Sequence, residues 1–419
     1  MLKTSVSAPH ILNEIEPPPP LMLWGEPGCE ALLGQLLPRS RSLFLSYYEV
    51  PQARREFRRM QALIEAQGVE VVRAKDAFVS RLKSMQLPGL PSSLRELEQR
   101  LMRKAEEYFE TYRQIKVSEL VEDGAGALVE DVYDEVRNDI PVLLQEDADL
   151  YGAEAAVKLN HVLSLSHPLP ISNIFYGRDQ SSALGDRILL SSLFWEIRKP
   201  EVEIYRQALL ELGLDGALVQ AAAGTVEGGD IILYGDTCYV GVGARTSLDG
   251  VKDLYARLGP RLEAYGIRLV AVVNERQARE ARYLRAPAEE HMRTMHLDMF
   301  WIPLGPDLVM AYGPEVDARR VLGFARQDGR IVTEPLGSFR DLLAASGCEV
   351  LEVTMQEQHD YATNLLNLGN RRVIVSLSKN ERVIAALQER GYHVLQAELN
   401  KLVGGYGAIH CLAAPLVRQ

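Results

Sequence analysis

The segment LYARLGPRLEAYGIRLVAVV, residues 254–273, decides the fold class. Apolar residues recur at helical spacing up to Tyr265, Gly266 follows, and the apolar run from Ile267 to Val273 has the composition of a strand. The glycine stands where the end of a helix needs a residue in the left-handed conformation. A helix that leads directly into a strand is typical of α/β proteins.

The same helix–glycine–strand pattern occurs four more times along the chain. The other copies are 57–67 with Gly68 and 69–72, 204–212 with Gly213 and the strand from 214, 339–346 with Gly347 and 348–353, and 383–390 with Gly391 and 392–395. Five copies predict an α/β fold in which five such units form a closed ring.

A helical insertion separates the first two copies. Residues 94–115 and 117–145 carry apolar residues at helical spacing among many charges, with no strand pattern. We therefore predict three parts: residues 1–82 as the first part of the ring, 83–156 as an all-helical insertion in the first unit, and 157–419 as the rest of the ring. The acidic faces of the insertion are those of solvated helices, and a lid or a partner-binding surface is the alternative.

Composition excludes several classes of partner. The net charge is −11 without a long basic run, which argues against nucleic acid and anionic membranes. No apolar stretch approaches the roughly 20 residues of a membrane span, and the first residues lack the apolar core of a signal peptide, so we expect a cytoplasmic protein. The four cysteines include no C-x-x-C pair, which argues against zinc and dithiol chemistry.

Cys411 follows a glycine-rich turn, Gly404-Gly405-Tyr406-Gly407, and is the ninth residue from the end of the sequence. Glycines leave the backbone bare, so a ligand can approach the thiol closely. A lone thiol with a histidine and carboxylates elsewhere in the chain is a candidate nucleophile. The alternative is an inert cysteine that fills the core as a small hydrophobic residue.

Three further segments place polar residues beside apolar strands: 168–179, 226–233 and 295–300. Carboxylates and a histidine in such positions are costly to bury without partners. Each segment also has a structural interpretation. Glu227 to Asp230 could form a hairpin turn, His296 and Asp298 could be a structural pair on one strand face, and the arginine–aspartate pair at 178–179 could be a surface ion pair.

The order of these motifs resembles the arginine deiminase family. The chain contains N-x-x-x-x-R-D at 173–179, E-G-G-D at 227–230, M-H-L-D at 295–298 and H-C at 410–411, with the fragment E-Q-H-D at 357–360 and Asn364 in support. The similarity runs from about residue 21 to the C-terminus. It implies a pseudo-fivefold α/β propeller of ββαβ-type units with an all-helical insertion in the first unit.

The resemblance also implies a catalytic set. Cys411 would attack the guanidinium carbon, and His296 would activate the thiol and serve as general acid and base. Glu227 would orient the histidine, while Asp179 and Asp298 would hold the planar guanidinium by charge-assisted hydrogen bonds. No metal and no organic cofactor is needed for this chemistry.

Asn173, Arg198 and Arg245 match family positions that bind the amino-acid part of the substrate, and a surface ion pair is the alternative for either arginine. The chain also departs from the family pattern. Tyr406 replaces an arginine five residues before the nucleophile, and Met299 replaces a threonine after H-L-D. These departures leave the exact substrate open.

The resemblance implies hydrolysis of the guanidinium group of L-arginine to L-citrulline and ammonia. The alternatives are an amidinotransferase that passes the amidino group to an acceptor amine, a hydrolase of a modified arginine or a dihydrolase, and a binding protein without turnover. The expected partner is a small guanidino compound, with no nucleic acid and no membrane. Closed-ring folds often self-associate, which makes a homo-oligomer an option.

Overall fold

A computed structural model describes residues 20–122, 128–283, 289–376 and 379–416. The first residues, on which the expectation of a missing signal peptide rests, lie outside the described residues. The α-helices are α1 Cys29–Gln35, α2 Arg39–Ser42, α3 Val50–Ala66, α4 Ala74–Leu82, α5 Leu94–Glu122, α6 Val129–Tyr151, α7 Ala153–Ser164, α8 Lys199–Glu211, α9 Leu248–Ala264, α10 Glu275–Glu280, α11 Glu289–Arg293, α12 Gly313–Asp317, α13 Phe339–Ala345, α14 Met355–His359, α15 Glu381–Glu389 and α16 Ile409–Leu412. The strands are β1 Leu21–Leu23, β2 Val71–Arg73, β3 Ser181–Leu184, β4 Arg187–Leu190, β5 Leu218–Gln220, β6 Ile231–Tyr234, β7 Thr237–Val242, β8 Arg268–Val273, β9 Trp301–Gly305, β10 Leu308–Tyr312, β11 Arg320–Gln327, β12 Arg330–Ser338, β13 Glu349–Val353, β14 Leu366–Asn367, β15 Arg372–Val375, β16 His393–Gln396 and β17 Ala413–Pro415.

The five glycines of the repeat have the backbone conformation that the sequence pattern predicts. Gly68, Gly213, Gly266, Gly347 and Gly391 have φ angles of 77°, 76°, 75°, 73° and 78°. Each follows a helix closely and leads to a strand, in the order α3–β2, α8–β5, α9–β8, α13–β13 and α15–β16. Because only glycine adopts positive φ without steric cost, it ends each helix and lets the chain turn back into a sheet.

The described strands form five sheets with one shared pairing pattern. Each sheet has an antiparallel pair and a parallel strand that arrives after the helix and its glycine. The sheets are β3–β4–β5, β6–β7–β8, β9–β10–β13, β14–β15–β16 and β17–β1–β2. In the last one the C-terminal strand β17 pairs with the N-terminal strand β1, so the two ends of the described chain complete one sheet.

The fold is thus a mixed α/β arrangement of small sheets and many helices. The hairpin β11–β12 extends the second sheet beyond β8, and none of the described sheets closes on itself as a barrel. Each sheet packs apolar residues against its helix, as where Trp301 of β9 meets Phe339 of α13 in an edge-to-face contact with ring centroids 5.4 Å apart.

Four helices, α4 to α7, follow β2, and α5 and α6 lie where the sequence pattern predicts an insertion. The pair α5 and α6 packs as a hairpin, with Phe109 stacked on Tyr133 at 4.3 Å. Buried ion pairs connect this hairpin to α3 and α4, because Asp147 of α6 lies 3.2 Å from Arg54 and 3.6 Å from Lys75. Helix α7 spans the predicted boundary at residue 156. In the described part of the chain, no helix combines the length and the apolar character needed to cross a bilayer.

Candidate active site

Five loops build the candidate site, and each lies directly before the first strand of one sheet. This shared position explains how residues far apart in sequence converge, because equivalent strands begin at the same end of their sheets. The residues are Asp179 before β3, Glu227 and Asp230 before β6, His296 and Asp298 before β9, Asn364 before β14, and Cys411 before β17.

Hydrogen bonds join each loop to the next one, and the last loop to the first. They are Arg178 N to the Cys411 carbonyl (3.0 Å), Gly228 N to the Asp179 carbonyl (3.2 Å), Leu297 N to Asp230 Oδ1 (3.1 Å), Asn364 Nδ2 to the Asp298 carbonyl (3.4 Å), and His410 N to the Asn364 carbonyl (3.4 Å). The five loops therefore support one another.

The Cys411 thiol is 3% exposed and lies in the short helix α16. Asn364 holds it from two sides. Its Nδ2 donates to Cys411 Sγ at 3.2 Å, while its Oδ1 accepts the backbone N–H groups of Ala408 (3.1 Å) and Cys411 (3.3 Å). The thiol in turn donates to Asp298 Oδ2 at 3.7 Å. Cys411 is thus fixed beside a carboxylate.

Asp298 is completely buried between Cys411 and His410. Its Oδ2 lies 2.8 Å from His410 Nδ1. Burial alone would raise the pKa of Asp298, but the hydrogen bond and charge of His410 outweigh it and lower that pKa. Asp298 is therefore a carboxylate at neutral pH.

His296 lies between two carboxylates. Its Nε2 is 2.8 Å from Glu227 Oε2, and its Nδ1 is 3.6 Å from Asp179 Oδ1. Glu227 is fixed in place because its Oε1 accepts the backbone N–H of Phe194 at 2.8 Å. Among the described residues, no hydrogen bond joins His296 to Cys411.

The charges of the site follow from these contacts. Burial opposes the charged form of His296, but Asp179, Glu227 and Asp230 together raise its pKa to about 9. Burial likewise opposes the charge on Glu227, while Arg245 and His296 lower its pKa to about 2. At neutral pH an imidazolium is thus paired with a carboxylate.

The surroundings of Cys411 favour the neutral form of its thiol, whereas those of His296 and Glu227 favour the charged forms. Burial, followed by the charges of Asp298 and Asp179, raises the pKa of Cys411 well above its usual value. The hydrogen bond from Asn364 acts against this, but with a smaller effect. Without a bound cation the thiol therefore keeps its proton at neutral pH.

Three buried polar atoms around Cys411 have no hydrogen-bond partner: Asp179 Oδ1, Asp298 Oδ1 and His296 Nδ1. Buried polar groups are nearly always satisfied, so such a set marks a place for a ligand. Two carboxylate oxygens suit a planar cation with several N–H donors.

Asp179, Glu227 and His296 also bring ligand atoms within 4.8 Å of one another, a spacing that could hold a metal ion. Their other contacts disfavour one. Arg198 donates to Asp179 Oδ2 at 2.6 Å, and Arg245 lies 3.5 Å from Glu227. Two guanidinium charges on the same carboxylates would repel a divalent cation.

Two glycines allow the loops to approach this closely. A Cβ atom on Gly229 would lie 2.5 Å from His296 Nδ1 and 3.1 Å from Asp179 Oδ1, and one on Gly228 would lie 2.0 Å from the Arg178 carbonyl oxygen. The segment is a short 3-10 turn ahead of β6, so its interpretation as a hairpin turn is wrong. The surface ion pair is also wrong, since Arg178 and Asp179 are buried.

The three predicted substrate-binding residues have other contacts. Arg198 donates to Asp179 and Glu201. Asn173 Nδ2 donates to the Ser42 carbonyl at 2.5 Å. Arg245 NH2 donates to the sulfur atoms of two methionines, Met292 (3.1 Å) and Met295 (3.3 Å), and its side chain borders a cavity of about 410 Å³.

Tyr406 lies in the turn that precedes Cys411, with a left-handed φ of 68° and a buried side chain. Hydrogen bonds fix this turn from several elements. Leu45 N donates to the Gly404 carbonyl at 2.7 Å, and Tyr176 OH donates to the Leu402 carbonyl at 2.6 Å. These contacts hold the turn before Cys411 in a defined conformation.

The sequence patterns assigned no role to Asn364, His410 or Glu201. Asn364 occupies the position before β14 that the predicted catalytic residues occupy in the other four sheets, so the repeat itself held the signal that could have identified it. His410 directly precedes Cys411 in the sequence. Glu201 carries no signal of its own, because its importance depends on Arg198.

Comparisons with known proteins identify the family and the fold. A family model described as arginine deiminase matches residues 40–418. Arginine deiminases from Mycobacterium marinum and Mycobacterium avium are 26% and 24% identical over 94% of this chain and 94% of their own. An amidinotransferase from Microseira wollei, in the saxitoxin biosynthetic pathway, has the same fold, with a TM-score of 0.53, 14% identity and coverage of 98% of this chain and 97% of its own.

The protein is therefore an enzyme that acts on guanidino groups. More specifically, the chain belongs to the arginine deiminase family, whose model covers nearly its whole length.

Proposed function

We propose that the protein hydrolyses L-arginine to L-citrulline and ammonia through a covalent intermediate on Cys411. One observation carries the proposal: Asp179 Oδ1 and Asp298 Oδ1 are buried without a hydrogen-bond partner beside the thiol. A guanidinium ion brings N–H donors and a positive charge that satisfy both oxygens. Held between them, its central carbon comes within reach of Cys411 Sγ.

In this proposal the substrate itself activates the nucleophile. The pKa of Cys411 is raised by burial and by the charges of Asp298 and Asp179. A guanidinium bound to both aspartates offsets their negative charge and stabilises the thiolate. The thiol then loses its proton to solvent when substrate binds, without a hydrogen bond from His296, and takes a proton back when the product leaves.

The first half of the reaction expels ammonia. The thiolate adds to the guanidinium carbon, and His296 donates its proton to one of the terminal nitrogen atoms. The carbon–nitrogen bond breaks, ammonia leaves, and a thiouronium remains on Cys411. Because the pKa of His296 is raised to about 9, the imidazole carries this proton at neutral pH.

The second half returns the enzyme to its starting state. Neutral His296 takes a proton from water, and the resulting hydroxide adds to the thiouronium carbon. The carbon–sulfur bond then breaks, which restores the thiolate and releases citrulline in its protonated form. Citrulline passes the extra proton to solvent, where the expelled ammonia takes it up as ammonium. Glu227 holds the imidazole and stabilises its charged form throughout.

We also propose the finer architecture and setting that the sequence predicts. The shared pairing pattern and the chain of loop hydrogen bonds support a pseudo-fivefold propeller, with residues 83–156 as a helical insertion. A cytoplasmic location follows from composition. A homo-oligomer is expected from the fold type alone.

Product identification with L-arginine, in the presence and absence of glycine, tests this function. We expect citrulline and ammonia in equal amounts in both reactions. Ornithine with a new guanidino compound, formed only with glycine, would instead support amidinotransfer. Ornithine and ammonia without glycine would support a dihydrolase. A protein that converts neither arginine nor its close analogues would sink the proposal.

A further inference from the structure

The hairpin β11–β12 leaves one strand of its sheet without a neighbour on one side. The strand order of this sheet is β12–β11–β8–β7–β6, so β12 lies at its edge. In the part of the chain that the structure describes, no other strand pairs with the outer side of β12. An open edge of this kind is a template for pairing with a second strand.

The turn of the hairpin determines which backbone groups face outward. Asp328 and Gly329 form a two-residue turn, with φ angles of 50° and 75°. In such a turn Arg330, the first residue of β12, is hydrogen-bonded to its partner on β11, and bonded and non-bonded pairs alternate from there. Ile331 and Thr333 therefore turn their N–H and C=O groups away from β11, toward the open edge.

The side chains along this edge are complementary to a second copy of themselves. Arg330 and Glu334 are exposed, lie on the same face of β12 and stand at equal distances from Val332 along the strand. When two copies of β12 pair antiparallel around Val332, Arg330 of each copy lies opposite Glu334 of the other. Opposite charges in directly opposed positions stabilise a strand pair. The same register places Ile331 opposite Thr333, so their outward N–H and C=O groups exchange hydrogen bonds.

The two neighbouring registers are less favourable. An axis at Ile331 would place Glu334 opposite Asp328, so that two like charges face each other. An axis at Thr333 would place Ile331 opposite Pro335, which has no N–H group to donate. The edge therefore favours one register, in which the same patch of each copy faces its equivalent, as a twofold dimer requires.

We propose that the protein forms a twofold dimer in which the β12 strands of two copies pair antiparallel around Val332 and join their two sheets into one. This inference goes beyond the proposed function and does not depend on it, because it concerns an edge of the second sheet rather than the loops that carry Cys411 and His296.

Sedimentation velocity over a wide range of protein concentrations tests the dimer. We expect the wild-type protein to sediment as a dimer. Thr333→Pro should yield a monomer, because it removes an outward N–H group and leaves the hydrogen bonds to β11 in place. The matched control Thr333→Val keeps that N–H group and should remain a dimer. Circular dichroism should show the same fold for both variants.

Charge reversal tests the register. Arg330→Glu leaves two acidic groups on the edge, and Glu334→Arg leaves two basic groups, so each variant should associate with itself about tenfold more weakly than the wild type. An equimolar mixture of the two variants should dimerise as the wild type does, because every acidic group then lies opposite a basic one. These variants decide the matter if Thr333→Pro fails to fold.

Three results would overturn the proposal. A wild-type protein that stays monomeric at every concentration would show that the edge is not occupied by a second copy, even if it pairs with a strand of another protein. A dimer that persists in a folded Thr333→Pro variant would place the contact on another surface. A mixture of the two charge variants that associates no better than either one alone would rule out the register around Val332.

Discussion

Replacing Asn364 by alanine tests whether one side chain both stabilises the turn before Cys411 and activates the Cys411 thiol. Asn364 Oδ1 accepts two buried backbone N–H groups, from Ala408 and Cys411. An unsatisfied buried donor costs about 1–3 kcal/mol, so the two together predict a loss of about 2–6 kcal/mol in the free energy of unfolding. Urea denaturation followed by circular dichroism measures this loss.

The same substitution removes the N–H group that donates to Cys411 Sγ at 3.2 Å. Loss of one donor that stabilises developing negative charge costs about 100- to 1000-fold in kcat, and we expect kcat with L-arginine to fall by at least 100-fold. Asn367→Ala is the matched control, because that amide donates to the Leu304 carbonyl at 2.8 Å, away from the thiol. It should cost about 1 kcal/mol of stability and leave kcat unchanged. Equal stability losses in both variants, or near wild-type activity in Asn364→Ala, would refute the dual role.

Three further predictions concern the thiol, the histidine and the substrate. Asp298→Asn should abolish turnover yet make Cys411 at least tenfold more reactive toward iodoacetamide at pH 8. The reason is that the Asp298 carboxylate raises the pKa of the thiol, so its removal increases the thiolate fraction. Unchanged or slower alkylation would contradict this prediction. Gly229→Ala should lower kcat by about 100-fold, because the new Cβ atom would lie 2.5 Å from His296 Nδ1. The control Gly216→Ala has open space around the new Cβ atom and should leave kcat unchanged. Equal activity of the two variants would argue against the close approach of Gly229 to His296. Tyr406→Arg should lower KM for L-arginine if the tyrosine accounts for a drift in specificity, and an unchanged KM counts against that idea.

The repeat was predictable from sequence because glycine has a conformational signature. A helix that must reverse into a strand needs a residue at positive φ, and Gly68, Gly266 and Gly391 each occupy such a position. The pairing of β17 with β1 was not predictable from that pattern, because it joins two ends of the chain that share no local signal.

The candidate site was likewise predictable from sequence only in part. Residues whose chemistry is rare in a core, such as His296 and Asp298, stand out in the sequence and do converge with Cys411 in the structure. The partners of each group are set by three-dimensional packing, which sequence spacing does not encode. Arg198 illustrates this limit, since its match to a substrate-binding position gave no indication that Glu201 and Asp179 would surround it.

Trapping the covalent intermediate tests the central claim most directly. Wild-type protein is mixed with L-arginine, quenched with acid during turnover, digested and analysed by mass spectrometry, with Cys411→Ser as the control. The account predicts an adduct with the mass of arginine minus ammonia on the peptide that contains Cys411, and on no peptide of the control protein. Citrulline formation without an adduct on Cys411, or an adduct on another residue, would contradict it.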